Sequence, residues 1–93
     1  IPATARFLGL SVAEAKIIEK ESSFKTTAKN KYSSAFGLGQ MIEGQRIKYA
    51  GKLGYSPSTT DPIEQRNMFR AYVADRYGTA EKAWDFWQSN GWY

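Results

Sequence analysis

The sequence predicts a mainly α-helical single domain interrupted by one long loop, and three observations carry that prediction. Ser11, Asp61 and Thr79 each stand where a helix N-cap would, just ahead of stretches with helical character. Gly9, Gly51, Gly78 and Gly91 follow such stretches as stops. Between Ser22 and Gln40 the chain turns to Ser, Thr, Lys, Asn and Gly and loses helical period.

Taken in order, a short helix is expected over residues 3–8, closed by Gly9. Ser11-Val12-Ala13-Glu14 has the form of a capping box preceded by Leu10, and opens a helix that runs to Glu21 or Ser22. Residues 22–40 read as a long ordered loop with room for a small β-hairpin. Loops of that length inside a small domain are usually functional. A third helix is expected over residues 43–50, with Gly51 at its end. "SPSTTDP" is a turn. Asp61-Pro62-Ile63-Glu64 then starts a helix with Asp as cap, Pro at the first position and Glu at the third. That helix reaches Tyr77 and stops at Gly78, with Ile63, Phe69, Tyr72, Val73 and Tyr77 as its apolar side. Thr79 caps a last helix, "AEKAWDFWQSN", ended by Gly91. No repeat or linker-like stretch divides the 93 residues, which suffice for one core with little margin. The chain opens at Ile1 without a methionine, so the expectation is a domain cut from a longer protein whose targeting signals lie outside residues 1–93.

Composition narrows the chemistry. There is no cysteine and no histidine. Disulfides, thiol catalysis, Ser-His-Asp triads and His-ligated zinc are therefore excluded. Acid–base work near neutral pH falls to carboxylates, Tyr or Lys with environment-shifted pKa values. No apolar run approaches the roughly 20 residues that span a bilayer. The net charge of +4 is uneven: residues 22–52 carry +5, with six basic side chains against Glu43, whereas residues 1–21 are neutral and residues 53–93 carry −1. A basic region of that kind attracts polyanions, whether nucleic acid or the anionic polymers of a bacterial wall.

Glu21 is the first candidate for chemistry. On a helix it shares a face with Ile17 and Ile18, so a carboxylate occupies a position whose pattern calls for an apolar residue. Desolvation there raises its pKa and lets it act as a proton donor. The plainer alternative is that the helix has ended and Glu21 is solvated. The segment Ala35-Phe36-Gly37-Leu38-Gly39-Gln40-Met41 is the second candidate. Its glycines allow close backbone approach to a ligand and its amide can bond sugar hydroxyls, but a tight turn that caps the core has the same composition. Third, Trp84, Phe86, Trp87, Trp92 and Tyr93 crowd the C-terminal end, where core packing competes with a ligand platform for Trp84 and Trp87. Tyr32 and Tyr55, on loops beside basic residues, suit exposed stacking surfaces.

Four blocks, "IIEKESSF", "SSAFGLGQM", "DPIEQRNMFRAYVADRYG" and "AWDFWQSNGWY", in this order and spacing, resemble the soluble lytic transglycosylase family of the lysozyme superfamily. The likeness covers about residues 12–93 and is greatest to the short forms found in Gram-positive cell-wall proteins and phage tail proteins. It implies a small lysozyme-like helical domain whose long loop borders a substrate cleft. It also implies cleavage of the β-1,4 bond between N-acetylmuramic acid and N-acetylglucosamine in peptidoglycan, with Glu21 as the single catalytic acid/base. The product would be a 1,6-anhydro end, formed without a second carboxylate, metal or cofactor. By the same likeness Ser22 and Gln40 would contact substrate, with Tyr32, Phe36, Gly37, Leu38, Trp84 and Trp87 as further sugar-binding candidates. Two departures stand out. The commoner members have Met where this chain has Gly39, and they carry "A-Y-N-A-G" in the last helix, whose Tyr touches the catalytic Glu.

The implied setting is extracellular, on a cell wall or a virion tail, with peptidoglycan glycan strands as partner, no nucleic acid and a monomeric domain. Two rival readings remain at the level of sequence. A hydrolytic muramidase would need a second carboxylate, for which Glu43 is best placed, ahead of Asp61 and Asp85. A non-catalytic glycan-binding or basic nucleic-acid-binding module would need neither.

Overall fold

The N-caps and glycine stops mark out the helices much as expected. A computed structural model describes residues 3–93 and contains α1 (Ala3–Phe7), α2 (Val12–Ser22), α3 (Glu43–Leu53), α4 (Pro62–Arg76) and α5 (Ala80–Asn90). The molecule is a mainly helical domain with almost no strand among the described residues.

The start of α2 is a complete capping box. Ser11 Oγ accepts from the Glu14 N–H at 3.2 Å, and Glu14 Oε1 accepts from the Ser11 N–H at 2.8 Å. The Glu14 carboxylate also receives Arg70 from α4, with Nε donating to Oε2 at 2.8 Å and Nη2 to Oε1 at 3.2 Å. Arg70 Nη2 bonds the Gly9 carbonyl as well, so one guanidinium ties the α1–α2 turn to α4. Burial alone would raise the Glu14 pKa, but the Arg70 hydrogen bond and charge, with the Ser11 N–H, prevail and hold it below the usual carboxylate value.

The apolar face of α2 builds the centre. Ile17 and Ile18 are fully buried, and Leu8, Leu38 and Phe69 meet them from the α1 end, the loop and α4. Each such side chain contributes about 1.5–3 kcal/mol of burial free energy. Helix α5 packs across α2, and α4 packs against both α3 and α5. That places the last turn of α2 beside the aromatic helix.

Three expectations are corrected. Helix α3 does not stop at Gly51. It continues to Leu53, because Gly54 takes the left-handed conformation (φ 77°) and the Tyr55 N–H returns to the Ala50 carbonyl at 2.8 Å. Ile63 is not on the buried side of α4. It is 41% exposed, while Gln65 and Met68 turn inward. The hairpin in the long loop shrinks to two single bridges, Lys29 with Phe36 and Phe36 with Met41, because the tight Gly37–Gln40 turn intervenes before a strand can extend.

Candidate functional site

Glu21 lies in the last turn of α2, half-buried, with the core residues Ile17 and Ile18 behind it. The next residues leave the helix abruptly. Ser23 and Phe24 both adopt left-handed backbone, φ 51° and 63°, and the third non-glycine residue of this kind is Gln40 (φ 48°). For residues with a Cβ these conformations are strained, and such strain persists where surrounding packing enforces it. All three fall in the two motifs singled out from the sequence.

The α2–α5 contact puts Trp87 over the carboxyl group, and its indole N–H donates to Glu21 Oε1 at 2.7 Å. Trp84 stacks on Trp87 with ring centroids 5.5 Å apart and planes 17° from parallel, and the Lys16 ammonium sits 5.8 Å from the Trp84 ring. Burial raises the Glu21 pKa above its ordinary value, and the Trp87 hydrogen bond, which favours the ionised form, offsets part of that rise.

On the other side of Glu21 the wall is tyrosine. Tyr93 shares with Glu21, Gln40, Gln45, Arg76 and Trp92 an open pocket of about 370 Å³. The Tyr93 hydroxyl donates to the Gly39 carbonyl, and the Tyr72 hydroxyl donates to the Tyr93 main-chain oxygen at 3.1 Å. Burial first, and then the neighbouring Glu21 charge, push the Tyr93 phenol well above the usual range, so it keeps its proton. Gly39 is glycine for a visible reason: a Cβ there would lie 2.7 Å from the Tyr93 hydroxyl oxygen and 3.1 Å from Phe69 Cδ1. The hydroxyl of Tyr93 fills the space a side chain at position 39 would need.

The structure sorts the remaining candidates. Gln40 faces the Glu21 pocket, but its amide nitrogen donates to the Ala28 and Gly37 carbonyls, both at 2.9 Å, leaving only its oxygen for a ligand. Ser22 is buried and its hydroxyl bonds back to the Ile18 carbonyl at 3.1 Å, so it presents no group to solvent. Leu38 is fully buried core, which corrects its assignment to a sugar-binding surface. Gly37 is buried against the Gln65 amide, with no room for a Cβ. Tyr32 is 94% exposed and Phe36 lines a different pocket from Glu21. Trp84 borders a third pocket with Lys16 and Asp85. Glu43 is exposed and lines none of the pocket around Glu21, and Asp61 spends Oδ1 on the Ile63 and Glu64 N–H groups as an N-cap. Among the described residues Glu21 is the sole carboxylate lining its pocket.

Sequence reasoning missed Tyr93 as a wall of the pocket, and it missed Arg76 and Gln65. Gln65 is the hub of the loop: its Oε1 accepts from the Leu38 N–H at 2.9 Å, and its Nε2 donates to the Thr26 and Thr59 carbonyls, both at 2.8 Å. The signal for it was present, since Gln65 lies four and seven residues before Phe69 and Tyr72 on the buried face of α4. Tyr93 stood in the C-terminal aromatic cluster with nothing in the sequence to direct it to Glu21, and Arg76 had no signal.

Among the described residues no three or more His, Cys, Asp or Glu side chains gather where they could hold a metal ion, and no helix is long and apolar enough to cross a membrane. Searches against protein-family models, curated proteins and solved structures find no match to this chain.

Proposed function

We propose that the domain is a lytic transglycosylase that cleaves the β-1,4 bond between N-acetylmuramic acid and N-acetylglucosamine in peptidoglycan. The observation that carries this reading is a lone carboxyl group, Glu21, held half-buried in a pocket with its pKa raised by desolvation. A carboxyl group whose neutral form is favoured by burial is the reagent needed to protonate a glycosidic oxygen.

The chemistry runs on one residue. Glu21 gives its proton to the bridging oxygen as the bond to the muramyl anomeric carbon breaks. The muramyl C6 hydroxyl then bonds to that carbon, and its proton passes to the Glu21 carboxylate, which restores the acid and closes the 1,6-anhydro ring. While Glu21 is ionised, the Trp87 N–H supports its charge at 2.7 Å. In the resembled family a last-helix Tyr touches the acid, and Trp87 of α5 offers that contact here. Gln40 contributes its amide oxygen, Arg76 a positive charge and Trp92, half exposed, an aromatic surface for sugar rings. Two-carboxylate glycosidases place a second acid across the scissile bond. The lack of another carboxylate in this pocket, among the described residues, favours the intramolecular route over hydrolysis. The proposed setting is extracellular, on a cell wall or virion tail.

The test is mass spectrometry of fragments released from purified peptidoglycan. Release of 1,6-anhydro ends by the parental chain, lost in Glu21→Gln, is expected. Reducing ends would mean hydrolysis, and no release would leave a binding module.

A further inference from the structure

None of the six basic side chains of residues 22–52 lines the Glu21 pocket, and two of them, Lys29 and Arg46, line another cavity. An open pocket of about 560 Å³ lies between the loop around residues 27–36 and the turn at Ser58–Thr60. That volume lies within the common range for small-ligand sites, about 300–1,000 Å³. It shares no lining residue with the pocket around Glu21.

Its walls are fixed. Arg46 reaches up from α3 and donates to the carbonyls of Met41, Pro57 and Ser34 at 3.0, 3.0 and 2.8 Å, pinning the three segments together. The same guanidinium lies over the Phe36 ring, 5.5 Å from its centroid. Phe36 is held in turn by its bridges to Lys29 and Met41. Residues paired across an antiparallel bridge project to one face, so the Lys29 and Phe36 side chains leave the backbone on the same side, and both residues line the cavity.

Several polar groups of the cavity have a donor free. Asn30 Oδ1 accepts from the Tyr32 N–H at 2.7 Å, which leaves its amide nitrogen to donate. Ser33 and Ser34 hydroxyl oxygens accept from the Ala35 and Glu43 N–H groups at 3.2 and 2.9 Å, which leaves their hydrogens to donate. Lys29 has no ion pair among the described residues, and no carboxylate lines the cavity. A ligand that brings acceptors, negative charge and a flat apolar face for Phe36 fits these groups.

We propose that this cavity is a second binding site, separate from Glu21, for a sugar ring bearing one anionic substituent. Lys29 meets the anion, Phe36 the ring face, and Asn30, Ser33 and Ser34 the remaining oxygens. The site would hold the domain on an acidic glycan whether or not the chain cuts it, so it stands independently of the catalytic proposal.

The experiment is an NMR titration of isotope-labelled Glu21→Gln protein, which removes turnover, with two probes. N-acetylmuramic acid carries a lactyl carboxylate that N-acetylglucosamine lacks. Expected are amide shifts at residues 27–36 and 58–60, with the acidic sugar binding several-fold tighter at low salt and that advantage shrinking as salt is added. Lys29→Ala should erase the preference and retain the fold, as judged by unchanged amide shifts in α2 and α5. Equal binding of the two sugars would overturn the proposal. So would shifts confined to positions 21, 40 and 93, or a preference untouched by Lys29→Ala. None of these outcomes bears on whether the parental chain releases anhydro ends.

Discussion

Trp87 and Glu21, 66 positions apart in the chain, are joined by a 2.7 Å hydrogen bond from the indole N–H to the carboxyl oxygen. The bond opposes the burial that raises the Glu21 pKa, so the residue's proton affinity is a balance of two environments set by different helices. Burial of the last turn of α2 among its neighbours supplies the desolvation, and α5 supplies the donor.

Removing that donor should move the balance in a fixed direction. In Trp87→Phe the ionised form of Glu21 loses its partner, so its pKa rises further. If protonated Glu21 is the working acid, the high-pH limb of the activity profile shifts upward. Rates of peptidoglycan cleavage against pH check this, and a limb that stays put or moves down would sink the role given to Trp87.

Glu21→Gln should trade activity for stability. Because the folded pKa of Glu21 lies above its unfolded value, folding favours the neutral form, and ionisation destabilises the fold as pH rises through the folded value. A neutral Gln escapes that penalty. The variant should melt at the same temperature or higher near pH 7, with little difference at low pH. Thermal denaturation across pH reads this directly, and a lower melting temperature at pH 7 contradicts it.

The pair Glu14–Arg70 has the opposite sign. Its folded pKa is depressed, so its stabilisation is present above the unfolded value and is lost as pH falls through the folded one. Arg70→Ala leaves the buried carboxylate without its main partner and should cost about 1–3 kcal/mol near neutral pH. The loss should narrow in acid. Urea unfolding at pH 7 and pH 3 separates the two regimes, and an equal loss at both would mean packing, not charge, is at stake.

Gly39→Ala should destabilise by about 1–3 kcal/mol, because the new methyl meets the Tyr93 oxygen and Phe69. Adding Tyr93→Phe removes the nearer of those atoms and should recover part of the loss. A double-mutant cycle measures the coupling, and strict additivity would show that the two residues do not compete for one space.

Gln65→Leu should be the most costly of these changes, on the order of 2–4 kcal/mol, because it orphans Leu38 N–H and the Thr26 and Thr59 carbonyls together. Chemical denaturation is the readout. A near-neutral change would mean that water enters and replaces the amide.

Local rules wrote most of the fold. The capping box at Ser11–Glu14, the Asp61-Pro62 start, and the Thr79 and Gly91 ends of α5 were all legible, because each depends on residues within a few positions of one another. So was the odd placement of Glu21, since three- and four-residue spacing alone puts it beside Ile17 and Ile18. The end of α3 differs from the expected Gly51 because Gly54 is the glycine that takes the left-handed conformation, from which Tyr55 returns to Ala50 and packs on the core.

What the sequence by itself determined is a helical domain with a carboxylate on an apolar stripe and one long loop. Tertiary structure alone decided what surrounds that carboxylate. Trp87 as its donor, Tyr93 filling the room left by Gly39, Gln65 and Arg46 clamping the loop, and the separation of Phe36 from Glu21 into different pockets all join segments far apart in the chain. Periodicity reports which way a side chain points from its own helix. Which distant group it meets there depends on how the helices pack, and no short-range pattern encodes that.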